Sequence, residues 1–291
     1  MTVERATNPW ADWIGRTETV FDSTAPGTLQ GLAALLDHDT SLWREGEVPP
    51  LGHWLYFLPR ARQSTLDMDG HPQRGDFMPP ITLSRRMWAG SVVTFHAALP
   101  VGVAVDRRST IMSVTPKSGA SGNMVFVAVR QEVIASGKVV VTEVQDIVYR
   151  EPASKLVSAA ESAQTPPTSR ATIPTPDKSE RMQLDPVQLF RFSALTFNAH
   201  RIHYDREYTR EVEGYPGLIV QGQYAATLLM DFFLRHFPHS RIATFSFRAR
   251  QPMFDGVPFD MQLARTPHGA NLWIVNPQNQ ITLTAEIITA T

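Results

Sequence analysis

Through the first half of the chain, apolar and polar positions gather into four stretches rich in Val, Ile, Thr and Phe: Ser91–Ala98, Val103–Val114, Met124–Ile134 and Val139–Tyr149. Such enrichment in β-branched and aromatic residues predicts strands. The last two meet at Ser136–Gly137, a pair that tolerates positive φ, so the pattern predicts an antiparallel meander. Upstream, prolines bracket Leu51, Trp54, Leu55, Phe57 and Leu58. That spacing predicts a short buried helix opened near Pro49 or Pro50 and stopped by Pro59. Gly70–Pro80 (GHPQRGDFMPP) is turn chemistry, an irregular loop that is exposed or lines a site.

The second half repeats this order in outline. An apolar, strand-like lead-in (Gln188–Phe197) precedes a long helix over Leu218–Phe237, where Ala225, Leu228, Leu229, Phe232 and Phe233 follow a 3.6-residue period. Strands are predicted at about Arg241–Pro252, Pro258–Arg265, Asn271–Val275 and Ile281–Thr289. Between the halves, Ser154–Lys178 is rich in Ser, Thr, Pro and Ala and reads as a linker. The expectation is an α+β chain of two structurally related domains, 1–153 and 179–291, joined by 154–178. One long helix per half argues against parallel βαβ winding.

Composition narrows the chemistry. With 27 basic and 28 acidic residues in 291, the chain has no overall field to capture nucleic acid or an anionic membrane, so an anionic ligand must meet a local group of arginines. The absence of cysteine excludes disulfides, a thiolate nucleophile and a zinc–thiolate site. No uncharged apolar run approaches the ~20 residues of a membrane span, and the expected setting is the cytoplasm.

The densest chemistry is FNAHRIHYD, Phe197–Asp205. A histidine moves protons near neutral pH, and an asparagine holds water or a carbonyl without titrating. Downstream, Gly217–Gly222 leads into the long helix, whose first N–H groups lack intrahelical acceptors and whose dipole favours an oxygen gaining negative charge. Asn198, His203 and that helix tip form a kit for adding water to a polarised double bond. Other roles are open for each residue. His200 either orients Asn198 or fills space, Asp205 fits a helix cap for REYTREV better than a catalyst, and Gly217 and Gly222 also suit tight turns and close packing. As metal ligands, His200, His203 and Asp205 are an incomplete set, so no metal is expected.

The stretch HYDREYTREVEGYPGLIVQGQYAATLL resembles the MaoC-like enoyl-thioester hydratases and dehydratases, whose motif runs S-G-D-x-N-P-x-H-x-D and is followed by G-[FY]-P-G…H-G. Aligned without a gap, the family's catalytic His falls on His203, its following Asp on Asp205, and the glycine whose N–H meets the thioester oxygen on Gly222. Its catalytic Asp falls on Asn198, its Asn on His200 and its Pro on Arg201. The variant SALTFNAHRIHYD is similar to hydroxyacyl-thioester dehydratase type 2 and to mesaconyl-C4-CoA and itaconyl-CoA hydratases. LSRRMWAGSVVTFHAALPVG and EVQDIVYRE resemble the N-terminal domain of those proteins.

The resemblance implies tandem hotdog domains, each a helix wrapped by an antiparallel sheet, and a homodimer or higher homo-oligomer. It implies hydration of an enoyl-CoA such as itaconyl-CoA or mesaconyl-C4-CoA to citramalyl-CoA, with CoA part of the substrate and no separate cofactor. His203 would be the base, Asn198 would orient water, and Gly222 would hold the enolate oxygen. Arg201, Arg85 and Arg86 are candidates for a substrate carboxylate, and Arg248 and Arg250 for CoA phosphates. The competing readings are a fatty-acid-type 3-hydroxyacyl dehydratase, a thioesterase, disfavoured because Gln221 and Gln223 are not acids, and a non-catalytic thioester-binding module.

Overall fold

The computed structural model describes residues 8–119, 122–151, 173–238 and 240–290. Its ten strands are β1 (Thr17–Ser23), β2 (Arg85–Phe95), β3 (Ala104–Gly119), β4 (Gly122–Ala135), β5 (Lys138–Arg150), β6 (Lys178–Met182), β7 (Ile242–Ala249), β8 (Phe259–Thr266), β9 (Gly269–Val275) and β10 (Ile281–Thr289). They form one antiparallel sheet in the order β1-β3-β4-β5-β2-β7-β10-β9-β8-β6. Strands β1–β5 fill one side and β6–β10 the other, and the halves meet where β2 pairs with β7. At that seam Gly90 has no room for a side chain, since a Cβ there would lie 2.4 Å from the Phe247 carbonyl oxygen. The β4–β5 hairpin turns at Ser136 and Gly137, with φ of 50° and 74°, the left-handed pair expected of a tight two-residue turn.

Among the described residues the α-helices are α1 (Pro26–Leu35), α2 (Pro186–Thr196), α3 (Arg206–Glu211) and α4 (Gly222–His236). Helix α4 lies against β2, β8 and β10. It is buried nearly all round, from Tyr224 to Leu234, because the curved sheet covers one side and α2 meets the other through the stacked pair Phe192–Tyr224. At roughly 25 cal/mol per Å² of apolar surface, a helix so enclosed is held by burial far more than by its own propensity. Its apolar residues join one continuous cluster with Leu29 and Leu32 of α1 and with Leu51, Trp54 and Leu55. This is the α+β double-hotdog architecture that the resemblance implied.

Several sequence expectations are corrected. The strand-like lead-in is helix α2, with a capping box between Asp185 and Gln188 and Pro186 at its first turn. Its buried positions, Leu189, Phe192, Ser193 and Thr196, follow helical and not alternating spacing. The long helix starts at Gly222, not Leu218. Residues 218–220 spend their N–H groups sideways on Asp255, Ile202 and Met253, which keeps them extended. Leu51–Leu58 forms only a 3-10 turn (Gly52–Leu55), with Leu51 and Phe57 left-handed, and the helix of the first half is α1. Arg85 and Arg86 open β2, which starts ahead of the strand predicted at Ser91–Ala98. Strands β1 and β6 were not foreseen; Lys178, placed in the linker, begins β6. The rest of that linker lies outside the described residues, except 173–177.

Candidate active site

A cavity of about 2130 Å³ opens between the two halves. That is about twice the upper end of ordinary small-ligand clefts, roughly 1,000 Å³, and leaves room for a ligand with a long arm. His203, His200, Asn198, Gly222, Arg85, Arg86 and Arg250 all line it.

The loop carrying the histidine motif is built locally. Helix α2 ends at Phe197, left-handed at φ 47°, and the chain turns there toward the cavity. The side-chain oxygen of Asn198 then accepts the backbone N–H of His200 at 3.0 Å, which leaves its NH2 group with donors to spare. Asp205 caps α3 by accepting the N–H of Tyr208 at 3.0 Å. That placement presents the 3-10 turn Arg201–His203, and His203 itself is buried.

The His203 ring donates from Nδ1 to the carbonyl of Ile219 at 2.7 Å. A carbonyl only accepts, so the proton sits on Nδ1 and Nε2 is bare. Burial pushes the ring's pKa down to about 4, against the partial lift from the Ile219 bond, with His71 pressing it down further. The ring is therefore a neutral base at neutral pH. Three residues beyond Ile219, helix α4 begins at Gly222. Its N-cap Gln221 makes no capping bond, because its amide instead donates to the Leu189 carbonyl and to Ser193 Oγ, both at 2.9 Å. The first-turn N–H groups of α4 thus stay free beside the cavity, and the positive end of a 15-residue helix faces it.

Sequence reasoning missed two residues that the tertiary structure brings here. The loop 67–72 from the first half packs directly on the histidine motif: Arg201 N–H donates to the Asp69 carbonyl at 2.8 Å, and Arg201 Nη1 reaches the Met68 carbonyl at 3.2 Å. Gly70 makes the contact possible, since a Cβ there would lie 1.9 Å from the Ala199 carbonyl oxygen. His71 then packs against His200 with ring centroids 4.1 Å apart and planes tilted by 47°, and His200 meets His203 edge-on at 5.3 Å. Asp69 accepts the Nδ1–H of His71 at 3.0 Å and its backbone N–H at 2.9 Å. Burial works to raise the Asp69 carboxyl, but its bonds to His71 hold it well below the ordinary value. Burial lowers His71, opposed by the Asp69 bond. His200 is pushed down to about 2 by burial first, then by His71 and His203. No local pattern singled them out: His71 falls in Gly70–Pro80, read as exposed or site-lining, and Asp69 lies just before it.

The other candidates divide. Arg86 is half-buried, lines the cavity, and lowers both His71 and His200 by its charge. It makes no ion pair among the described residues. Arg85 also lines the cavity but is paired with Glu213 at 3.2 Å and lies over Tyr215. Arg201 lies outside the lining: Nε and Nη2 bond Asp205 at 3.0 and 2.7 Å, and the guanidinium stacks 4.1 Å from the Tyr208 ring. Arg248 is exposed and 3.9 Å from Asp146, away from the cavity, whereas Arg250 is exposed at its edge. Gly217 lies behind the site, where a Cβ would stand 2.9 Å from Asp255 Oδ1. Asp205, being a cap, is no partner for His200 or His203 in a metal set. Among the described residues, the donor atoms close enough to hold a metal ion belong to Asp69, His71 and His200, within 4.8 Å of one another.

One cavity wall rests on a buried carboxylate. Glu143 accepts Trp54 Nε1 at 3.0 Å and bonds His53 at 3.2 Å and Ser91 Oγ. Burial alone would raise it, but these donors hold it below the ordinary value, so it stays ionised.

Residues 50–255 match the family model for hydroxyacyl-thioester dehydratase type 2. The chain belongs to that family. Among curated relatives, the mesaconyl-C(4)-CoA hydratase of Chloroflexus aurantiacus is 47% identical over 261 residues, covering 89% of this chain and 90% of that protein. Two solved structures share the fold of this dehydratase-family chain. A MaoC-like dehydratase from Phytophthora capsici has a TM-score of 0.67 at 15% identity, over 96% of each chain. A Mycobacterium tuberculosis protein described as a double hotdog has a TM-score of 0.56 at 13% identity, over 95% of this chain and 96% of its own.

Proposed function

We propose that this protein hydrates the double bond of an enoyl-CoA whose acyl group carries a second carboxylate, such as mesaconyl-C4-CoA or itaconyl-CoA, to give citramalyl-CoA. One observation carries the reading: a neutral, tautomer-fixed imidazole at His203 and an uncapped helix tip at Gly222 border the same cavity. Nε2 of His203 takes a proton from water as the water oxygen bonds to the β-carbon. The double-bond electrons move toward the thioester, and the enolate oxygen is held at the Gly222 N–H. The same proton then passes to the α-carbon, so the ring ends neutral. A positioned donor at a developing oxyanion contributes about 2.7–4 kcal/mol.

The name of the 47% identical relative, a mesaconyl-C(4)-CoA hydratase, supports the acyl group, and Arg86 supports it physically. A half-buried guanidinium with no protein carboxylate to pair with is matched by a carboxylate on the ligand. On this reading CoA belongs to the substrate, and the working form is a homodimer or higher homo-oligomer in the cytoplasm. The test is a panel of purified thioesters followed by absorbance of the conjugated double bond. Selective loss of that signal with C5 dicarboxylic enoyl-CoAs is expected. Preference for long 3-hydroxyacyl chains, or binding without turnover of any enoyl thioester, overturns the proposal.

A further inference from the structure

The family's catalytic carboxylate is missing from the second half, because Asn198 stands at its position. The first half brings another carboxylate, Asp69, against the histidine motif. Asp69 and His71 arrive on a loop that two bonds to Arg201 and the absence of a side chain at Gly70 press onto the histidine motif.

The orientation of His71 is fixed. Asp69 accepts its Nδ1–H at 3.0 Å, so in the neutral ring Nε2 carries the free lone pair. His71 lines the cavity together with His203, whose Nε2 is bare for the analogous reason. A water in hydration has two hydrogens, and two imidazoles with bare Nε2 atoms, each in ring contact with His200, line the cavity that must hold it.

We propose that His71, oriented by Asp69, is a second catalytic residue of this hydration, accepting one hydrogen bond of the attacking water while His203 takes the other hydrogen as the proton. The inference rests on the hydratase reading above. The balance is simple. One proton leaves water for His203 Nε2 as the oxygen–β-carbon bond forms, and that proton moves to the α-carbon. The hydrogen directed at His71 stays on the oxygen and becomes the product hydroxyl. His71 neither gains nor loses a proton; it aims the oxygen lone pair at the β-carbon. Asp69 is a positioning residue, because it touches only His71. Around this ring the charged and titratable groups are His200, in ring contact with it, Asp69, which favours its protonation, and Arg86 and Arg74, which with burial oppose it, so it stays an acceptor at neutral pH.

The same donors explain why a metal is the rival. Asp69, His71 and His200 form the one group of described residues compact enough to hold a cation. A hydrogen bond between Asp69 and His71, however, spends one donor atom of each on the other.

The experiment compares wild type, His71→Ala, His71→Gln and Asp69→Asn with a C5 dicarboxylic enoyl-CoA after exhaustive chelation, with thermal unfolding measured on each. For His71→Ala the expected result is a fall in kcat of about 10²-fold, the cost of a misplaced water, with KM within a few-fold. Asp69→Asn presents an amide that allows the wrong tautomer, so kcat falls at unchanged KM and the pH profile shifts, while unfolding temperature moves little. A kcat within tenfold of wild type for a folded His71→Ala overturns the inference and leaves the hydratase reading standing. Loss of wild-type activity on chelation, restored by added zinc, overturns it in favour of a metal. Wild type inert toward every enoyl thioester overturns both readings.

Discussion

Replacing His203 by alanine separates the chemistry of the ring from its contribution to folding. The ring is buried and neutral, with a pKa near 4 against 6.5 for an ordinary histidine. A folded pKa below the unfolded one means that between these values the unfolded chain binds more protons, so acid favours unfolding. The ring's contribution is fully present above about pH 6.5 and is lost as pH falls toward 4. Two and a half units at about 1.4 kcal/mol each give roughly 3 kcal/mol of stability lost through this one group. Against that, the bond to Ile219 contributes about 0.5–1.5 kcal/mol at any pH. His203→Ala should therefore be less stable than wild type at pH 7, and the difference should shrink by most of 3 kcal/mol at pH 4.5. Urea unfolding followed by tryptophan fluorescence at the two pH values measures this. Turnover of the best thioester at pH 7 should fall by about 10²–10⁴-fold, the range for removing a general base. A stability difference equal at both pH values would refute the buried neutral ring. Turnover within tenfold of wild type in a folded variant would refute its role as base.

Arg86→Gln should cost about 10–100-fold in kcat/KM toward dicarboxylic acyl groups, from about 1.5–3 kcal/mol of charged hydrogen bonding, and leave crotonyl-CoA nearly unaffected; equal losses on both would sink the carboxylate assignment. Glu143→Ala strands the donors of Trp54 and Ser91 beside His53 in a dry wall, and calorimetry should show a loss of about 3–5 kcal/mol, with Glu143→Gln milder. Gly70→Ala forces a Cβ onto the Ala199 carbonyl at a φ of +92°, so the 67–72 loop must lift. Turnover should then drop at least about tenfold while the unfolding temperature changes by only a few degrees, because the loop is peripheral to the core.

How much of this was legible varies with the kind of signal. The eight strands foreseen were visible because enrichment in β-branched and aromatic residues is a local property of the chain. Helix α2 was misread because Phe190, Phe192 and Leu195 also suit a strand, and the helical period appears only once burial shows that Leu189, Phe192, Ser193 and Thr196 share a face. The start of α4 was misplaced because Leu218–Val220 is apolar for a different reason: it is an extended segment tied to Ile202 and Met253. Arg201, beside the histidines in sequence, is turned away by Asp205, while Arg86, more than a hundred positions distant, faces them.

The sequence by itself determined the strands, the family motif around His203 and the glycine at the helix tip, since each is written in contiguous residues. Only the tertiary structure decided the company that the histidine keeps. Asp69 and His71 lie 134 and 132 positions before His203. Nothing local marks them, because what joins them to His200 is a loop docked without a side chain at Gly70. Contacts across such separations are set by how two halves of one sheet close on each other, and no periodicity along the chain encodes that closure.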